Sequence, residues 1–510
     1  MPSSDENKNM GAGVIEKPSM PETIYLSRAI RQIDFKRLFF IFLGLFLFFI
    51  VYFSPPWGDA VDPLGKHFIL TREGKAALGL FLLAVTWWVF EVVPIAITSI
   101  AVGAIQALFL IRPARQAFTD FMDPSIWFIF GSLMIGMVFT KTGLTQRMAY
   151  RMLVIVGERT SMIYFGCFLM IATLTLVMAH TAVAATVFPL LMAIYALYED
   201  TEKPTRFGKG LFIGMAFASG AGSVVTLLGS ARAPVAIGFF KEFAGGEISF
   251  LRFSCYMAPV GLMMVISIWA FIMIFFHPEK KSIPGLHERA KNLHARLGPM
   301  SRNEVLALIV VTLTIAMLSL RSFIPFFRHA DNSAIILAAT LLFFFLNILS
   351  IKDLEEIPWN IVLLFGGAMS MGFCLWETGA DNWLAVKLLP LFWDAHWFIF
   401  AMATALFVLI TTNFIINVAV IAISLPVAIT IAQYLGVNPD VMLFSFLATA
   451  GMPFMLLVGA APNAMAYGSG QFTSREFFKA GLPASIVLMI LLGIFVRIIW
   501  PLMGMPPVFR

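Results

Sequence analysis

Four segments of this 510-residue chain place polar, ionisable or helix-breaking residues inside otherwise apolar stretches. The first, Ala179–Pro189, reads AHTAVAATVFP and carries His180 and Thr181; the second, Leu227–Pro234, reads LLGSARAP and carries Ser230 and Arg232. The third, Thr411–Pro426, contains Thr412 and Asn417, and the fourth, Leu456–Gly470, reads LLVGAAPNAMAYGSG. Glycine and proline free backbone amides and carbonyls that cannot face lipid unsatisfied, so unwound backbone survives only where protein, water or a bound ion supplies partners. Ionisable groups in such a setting are functional by default. Where such breaks converge, the N-termini of half-helices aim N–H groups and positive dipole ends at an anion. A cation/proton antiporter would need buried carboxylates at the crossing; the four segments hold none and offer His180 and Arg232 instead. Gly468-Ser469-Gly470 with a distant histidine is a weak pointer to an intramembrane serine hydrolase, because no acid–base pair is spaced to serve Ser469. The ion handled is expected to be an anion, and no enzyme is expected.

The elements that would position these residues are membrane helices. Hydrophobic residues make up 60% of the chain and charged ones 13%, with mean hydropathy +0.88, against roughly 25% charged in a soluble domain. Leu38–Gly58, Phe253–Phe276 and Asn332–Ile351 each approach the ~20 residues that cross a bilayer. The first run follows a long polar stretch and lacks a small-residue cleavage site, so it reads as a retained span. Cys167, Cys255 and Cys374 lie in apolar stretches without disulfide or metal spacing. The net charge of +6 does not point to nucleic acid, since the basic residues sit in short loops. The densest cationic loop, from His277 to Glu304, carries Lys280, Lys281, Arg289, Lys291, Arg296 and Arg302, which places it in the cytoplasm. The basic approach through Arg28, Arg31, Lys36 and Arg37 goes to the same side, as do Lys141, Arg147, Arg151, Arg159, Lys203, Arg206 and Lys209; Arg112 and Arg115 fall on the other. Within the loop, Ile283–Leu297 reads as a basic amphipathic helix on the surface. Trp87, Trp88, Trp359 and Trp500 are expected as interface anchors.

The loop separates two halves that resemble each other. DPSIWFIFGSLMIGMVFTKTGL from Asp123 matches EIPWNIVLLFGGAMSMGFCLWETGA from Glu356, and Lys141-Thr142-Gly143 pairs with Glu377-Thr378-Gly379. Pro189 pairs with Pro426 at nearly the same offset. About eleven crossings and two re-entrant hairpins put an odd number of crossings in each half, so the second copy is inverted, as in secondary transporters. The predicted fold class is therefore an all-α polytopic membrane protein with two inverted repeats, N-terminus cytoplasmic and C-terminus outside.

WWVFEVVPIAITSI (Trp87–Ile100) and GAAPNAMAYGSGQFTSREFFKAGLP (Gly459–Pro483) are similar to motifs of the divalent anion:sodium symporters, carriers of dicarboxylates, citrate and sulfate. The resemblance covers nearly everything from the third span to the last. It implies an inner (plasma) membrane carrier, usually a homodimer, whose transport domain moves its site in an elevator-like manner against a scaffold. Its boundaries would be a tail at 1–36, scaffold at 37–142 and 303–392, transport domain at 143–277 and 393–510, and a basic linker at 278–302. The partners implied are a small organic anion and membrane lipid, with no nucleic acid and no cofactor beyond sodium as a candidate coupling ion.

The resemblance implies a substrate site at His180, Thr181, Ser230, Arg232, Asn417, Ala461, Pro462 and Asn463, and a sodium site at Thr412, Asn417, Gly459 and Ala460. Where the family has Ser-Asn-Thr at its two hairpin tips, this chain has Ala179-His180-Thr181 and Ile416-Asn417-Val418. Hydroxyls are thus absent at Ile416 and Val418, and one end of the substrate is expected to be held more weakly or to be less polar. The family's first GTPPN is here Gly229-Ser230-Ala231-Arg232-Ala233, and the second keeps Gly459, Pro462 and Asn463 around Ala460 and Ala461. Arg232 is always charged, and with His180 it could stand in for the first sodium ion, which favours exchange over sodium symport. In the alternative reading, His180 bonds a backbone carbonyl and Arg232 pairs with an acid such as Glu377 or Glu91. C4-dicarboxylates such as succinate, malate or fumarate are the first expectation; sulfate, citrate or a sulfonate are alternatives within the same fold.

Overall fold

The computed structural model describes residues 35–63, 65–198, 204–324 and 329–509. The expectations for the tail before residue 35, for Lys203 and for Arg510 lie outside the described residues.

Among the described residues the chain is built from helices, with one small antiparallel strand pair near Ala60 and Phe68. Helix α1 (Phe35–Phe53) leads to β1 (Ala60–Val61) and β2 (His67–Phe68), then to α2 (Arg72–Val89) and α3 (Ile95–Leu108). A short α4 (Ala114–Thr119) precedes α5 (Pro124–Thr142) and α6 (Leu144–Val156). Next come α7 (Thr160–Leu174), α8 (His180–Tyr198), α9 (Arg206–Ser223), α10 (Arg232–Ala244) and α11 (Phe250–Phe275). Beyond the cationic α12 (Leu286–Arg296) lie α13 (Arg302–Leu320), α14 (Asn332–Phe345), α15 (Ile351–Glu355), α16 (Trp359–Glu377) and α17 (Ala380–Leu388). The chain ends with α18 (Trp397–Thr411), α19 (Asn417–Tyr434), α20 (Pro439–Ala450), α21 (Ala461–Tyr467) and α22 (Ser474–Ile494), the last extended by a π turn at Phe495–Ile499.

Among the described residues, eight helical stretches are long and apolar enough to cross a membrane, and five apolar helices are shorter. The protein is a multi-pass membrane protein. Its lipid-type surface is plain on α1, where Phe39, Phe42 and Phe46 are each at least 60% exposed. Helix ends in the connecting loops carry the caps their sequences suggest. Ser301 and Thr473 form capping boxes with Glu304 and Glu476, and Thr205 and Ser249 accept from the third residue of their helices. Small residues let the helices approach closely: a Cβ on Gly214 of α9 would stand 1.9 Å from the Phe168 ring of α7. Gly143 and Gly379, the glycines of the paired Thr-Gly dipeptides, both adopt the left-handed conformation that ends α5 and opens α17.

Several expectations change. Asn332–Ile351 is not one span: α14 stops at Phe345, a left-handed Asn347 follows, and α15 begins at Ile351. Pro189 and Pro426 are not helix ends but sit inside α8 and α19, so the first and third of the four segments leave only short turns at 175–179 and 412–416 outside helices. Trp88 and Trp500 are not interface anchors; they are 1% and 0% exposed, and Trp500 Nε1 donates to the Tyr256 carbonyl at 3.2 Å. Trp359 is 41% exposed. The basic helix predicted at Ile283–Leu297 is the shorter α12, Leu286–Arg296, which buries Leu286 and Ala290; Ile283, also buried, lies before its start.

Candidate substrate site

In each half a short apolar helix turns back into a longer one. Helices α7 and α18 are 15 residues each, about 22 Å, too short for a ~30 Å hydrocarbon core. The turn at 175–179 is tied to the first break, 224–231, by its own backbone: His180 N–H donates to the Gly229 carbonyl at 3.3 Å. Thr226 completes the tie, donating to the Leu176 carbonyl at 2.7 Å and accepting from Gly229 N–H at 3.2 Å. Only glycine fits at 229, since a Cβ would stand 2.3 Å from the Thr175 carbonyl oxygen.

The second half repeats this with different residues. Asn413 donates to the Leu409 carbonyl at 2.6 Å, and its Oδ1 accepts from Met455 and Leu456 N–H at 2.9 and 3.1 Å. Thr412 Oγ1 donates to the Ala450 carbonyl at 3.3 Å. Asn463 closes the break 451–460 on itself, donating to the carbonyls of Pro453 and Leu456 at 2.8 and 3.0 Å. Sequence reasoning passed over Thr226 and Asn413; the signal available was a hydrogen-bonding side chain within a turn of a break. Asn413→Ala would leave the N–H groups of the half-buried Met455 and Leu456 without that acceptor, a loss of about 1 kcal/mol for each bond. The expected result is a detergent melting temperature lowered by several degrees, with the substrate half-saturation concentration raised.

A cavity of about 480 Å³ opens where the two turns and two breaks meet. Of the residues expected at the site, His180, Thr181, Ser230, Arg232, Asn417, Gly459, Ala460 and Ala461 line it, whereas Thr412, Pro462 and Asn463 lie behind the lining. The facing wall comes from α3, α5 and α16 through Ile95, Leu133, Ile361 and Phe365. The Thr181 hydroxyl and the Asn417 carboxamide make no hydrogen bond to a described residue, and His180 Nδ1 is buried without one. Ala231 and Ile416, which precede α10 and α19, give those helices no side-chain cap. The uncommitted Thr181 hydroxyl and Asn417 carboxamide therefore line one space together with the two uncapped helix starts, which suits an anion.

Arg232 is 2% exposed. Its Nη2 donates to Ser223 Oγ at 2.8 Å, and its guanidinium packs so closely on Gly451 that a Cβ there would meet Nη2 at 2.4 Å. It thus sits at the C-terminal ends of both α9 and α20, where helix dipoles favour a cation. No carboxylate pairs with it among the described residues. Glu377 is taken by Arg112, whose Nη2 and Nε lie 2.6 and 2.9 Å from its two oxygens, and Asp120 lies 2.7 Å from Arg112 Nη1. Glu91 is exposed, with φ at 43°, and lies outside the cavity lining. The pairing of Arg232 with Glu377 or Glu91 is therefore replaced by a guanidinium held between helix ends.

Comparison with known proteins decides the family. The model of the sodium:sulfate symporter transmembrane region matches residues 63–506. The chain belongs to that family. As a member of the divalent anion:sodium symporters it is a secondary transporter and not an enzyme. It is 23% identical over 453 residues to the sodium-dependent dicarboxylate transporter SdcS of Staphylococcus saprophyticus, covering 85% of this chain and 87% of the relative. To SdcS of Staphylococcus aureus it is 24% identical over 482 residues, covering 90% of each. Its fold is like that of the YdaH transporter of Alcanivorax borkumensis, with a TM-score of 0.50, 14% identity, and coverage of 92% of this chain and 99% of that one.

Proposed function

We propose that this symporter-family member carries small organic anions across the membrane, C4-dicarboxylates such as succinate, malate or fumarate first among them, and that it does so by exchange. The observation that carries this reading is the buried, acid-free Arg232 at a cavity lined by both turns and both breaks. The names of the relatives support the substrate class. Arg232, with His180 beside it, stands in for one sodium ion of the family's mechanism. An empty site would carry an uncompensated buried cation, which is costly to move through a low-dielectric path, so the carrier returns loaded. A second cation site in the second half would use Thr412, Asn417, Gly459 and Ala460.

The same proposal includes the architecture. Some eleven crossings and two hairpins form two inverted repeats. The scaffold runs over 37–142 and 303–392, and the transport domain over 143–277 and 393–510. Two such chains form a homodimer, with the N-terminus cytoplasmic. The cavity's mixed origin supports an elevator: one wall comes from scaffold helices α3, α5 and α16, and the donors come from the transport domain.

The test is uptake of labelled succinate into proteoliposomes, with and without internal succinate, and with sodium replaced by potassium. Uptake that needs internal anion and ignores sodium is expected. Uptake that needs a sodium gradient and ignores internal anion would overturn exchange while keeping the carrier.

A further inference from the structure

We infer that the anion taken best is a four-carbon dicarboxylate with an apolar substituent between its two carboxylates, selected by the wall from α3, α5 and α16. This rests on the carrier reading above and ranks the acids within it. The lining of the cavity is divided sharply by chemistry. Its polar side chains, His180, Thr181, Ser230, Arg232 and Asn417, all belong to the turns and breaks or to the helix starts beside them. The facing wall holds Ile95, Leu133, Pro358, Ile361, Leu364 and Phe365, without one hydroxyl, amide or charge. Leu364 and Phe365 are each 3% exposed, and the other four are half-buried, so the wall is largely shut off from water.

The polar groups lie toward two ends. One end has the Thr181 hydroxyl and the uncapped start of α10, while the Arg232 guanidinium is turned away to Ser223 and Gly451. The other has the Asn417 carboxamide and the uncapped start of α19 at Ile416. A dicarboxylate that places one group at each end turns its middle carbons to the hydrocarbon wall. A hydroxyl on those carbons gives up water and gains no partner from α3, α5 or α16. A methyl or phenyl group there leaves water for an apolar surface, which is favourable in proportion to the area buried. A phenyl group also meets the Phe365 ring. Room is not limiting: a cavity of about 480 Å³ falls within the ~300–1,000 Å³ of clefts that hold drug-sized ligands. An unsubstituted four-carbon acid therefore leaves apolar wall uncovered, and a substituted one covers it.

The probes are succinate, 2-methylsuccinate, 2-phenylsuccinate and malate, each competing with labelled succinate in counterflow at neutral pH. The two substituted acids are also loaded inside the vesicles, where driving uptake of labelled succinate shows that they cross. Relative to succinate, half-inhibition is expected at about threefold lower concentration for the methyl acid and about tenfold lower for the phenyl acid. Malate is expected to need about tenfold more. Ile361→Asn, which puts an amide in the wall, should shrink the phenylsuccinate-to-malate preference from about a hundredfold to about tenfold or less. Phe365→Leu, a smaller change, should weaken phenylsuccinate by about threefold and leave malate where it was. Wild-type protein that exchanges succinate and binds malate as well as phenylsuccinate would overturn the inference and keep the carrier reading. Variants that exchange succinate with the wild-type preference would overturn the role of the wall. Protein that moves no succinate would remove the carrier reading, and this inference with it.

Discussion

Arg232→Gln will cut sodium-independent succinate exchange by about a hundredfold without lowering the melting temperature of the protein. Glutamine keeps a donor for Ser223 Oγ and much of the volume packed against Gly451, so the main change is loss of charge. A charge-assisted contact to a desolvated anion is commonly worth about 2–5 kcal/mol when one partner is truncated, and about 2.7 kcal/mol corresponds to a hundredfold. Folding stability should move the other way. An unpaired buried guanidinium destabilises the empty protein, and its neutral replacement removes that penalty. The two readouts together separate the roles: a purely structural Arg232 would give a lower melting temperature and an unchanged half-saturation concentration. Sodium provides a further arm. With the tethered cation gone, the helix ends at Ser223 and Gly451 are free to take a mobile one, so added sodium should restore part of the lost uptake. Full activity of the variant in potassium alone would end the role of Arg232 as the tethered cation.

The breaks and the family could be anticipated because glycine, proline and polar residues are rare inside apolar segments, so each one stands out. Their exact limits could not. Pro189 and Pro426 look like stops, yet both are accommodated within helices, since neighbouring elements and local adjustment can satisfy the freed backbone groups in a membrane protein. The placement of Trp88 and Trp500 was also out of reach. Lipid and protein interior are equally apolar, so hydropathy does not say which a tryptophan faces. Partners distant in the chain were the hardest to read. Glu377 pairs with Arg112 and Arg232 with Ser223, and this follows from the packing of α3 on α16 and the meeting of the two breaks, which no local pattern encodes. Thr181 and Asn417 were named from motif positions; the structure brings both to one cavity, while Asn463, named on the same grounds, is spent holding its own loop.

Gly481→Ala is expected to prevent the second break from seating, and with it to abolish both stable folding and transport. Gly481 lies in the middle of α22, a position where alanine would ordinarily stabilise a helix by up to about 1 kcal/mol. Here a Cβ would stand 1.9 Å from the Phe454 carbonyl oxygen, 2.6 Å from its carbon and 2.9 Å from Met455 Cα. All three are backbone atoms, so no side chain can rotate away, and either α22 or the break at 451–460 must move. That break cannot shift cheaply, because Asn413 accepts from Met455 and Leu456 while Asn463 donates to Pro453 and Leu456. Overpacking of this kind costs about 1–3 kcal/mol where neighbours can adjust and more where they cannot. Gly493, near the end of the same helix, supplies the control, since a Cβ there meets the Phe398 ring at 3.5 Å, an ordinary contact. Gly493→Ala should melt at the wild-type temperature or slightly above, and Gly481→Ala should give little monodisperse protein by size-exclusion chromatography. Equal behaviour of the two variants would mean that the close approach of α22 to Phe454 is not what the glycine in Lys479-Ala480-Gly481 serves.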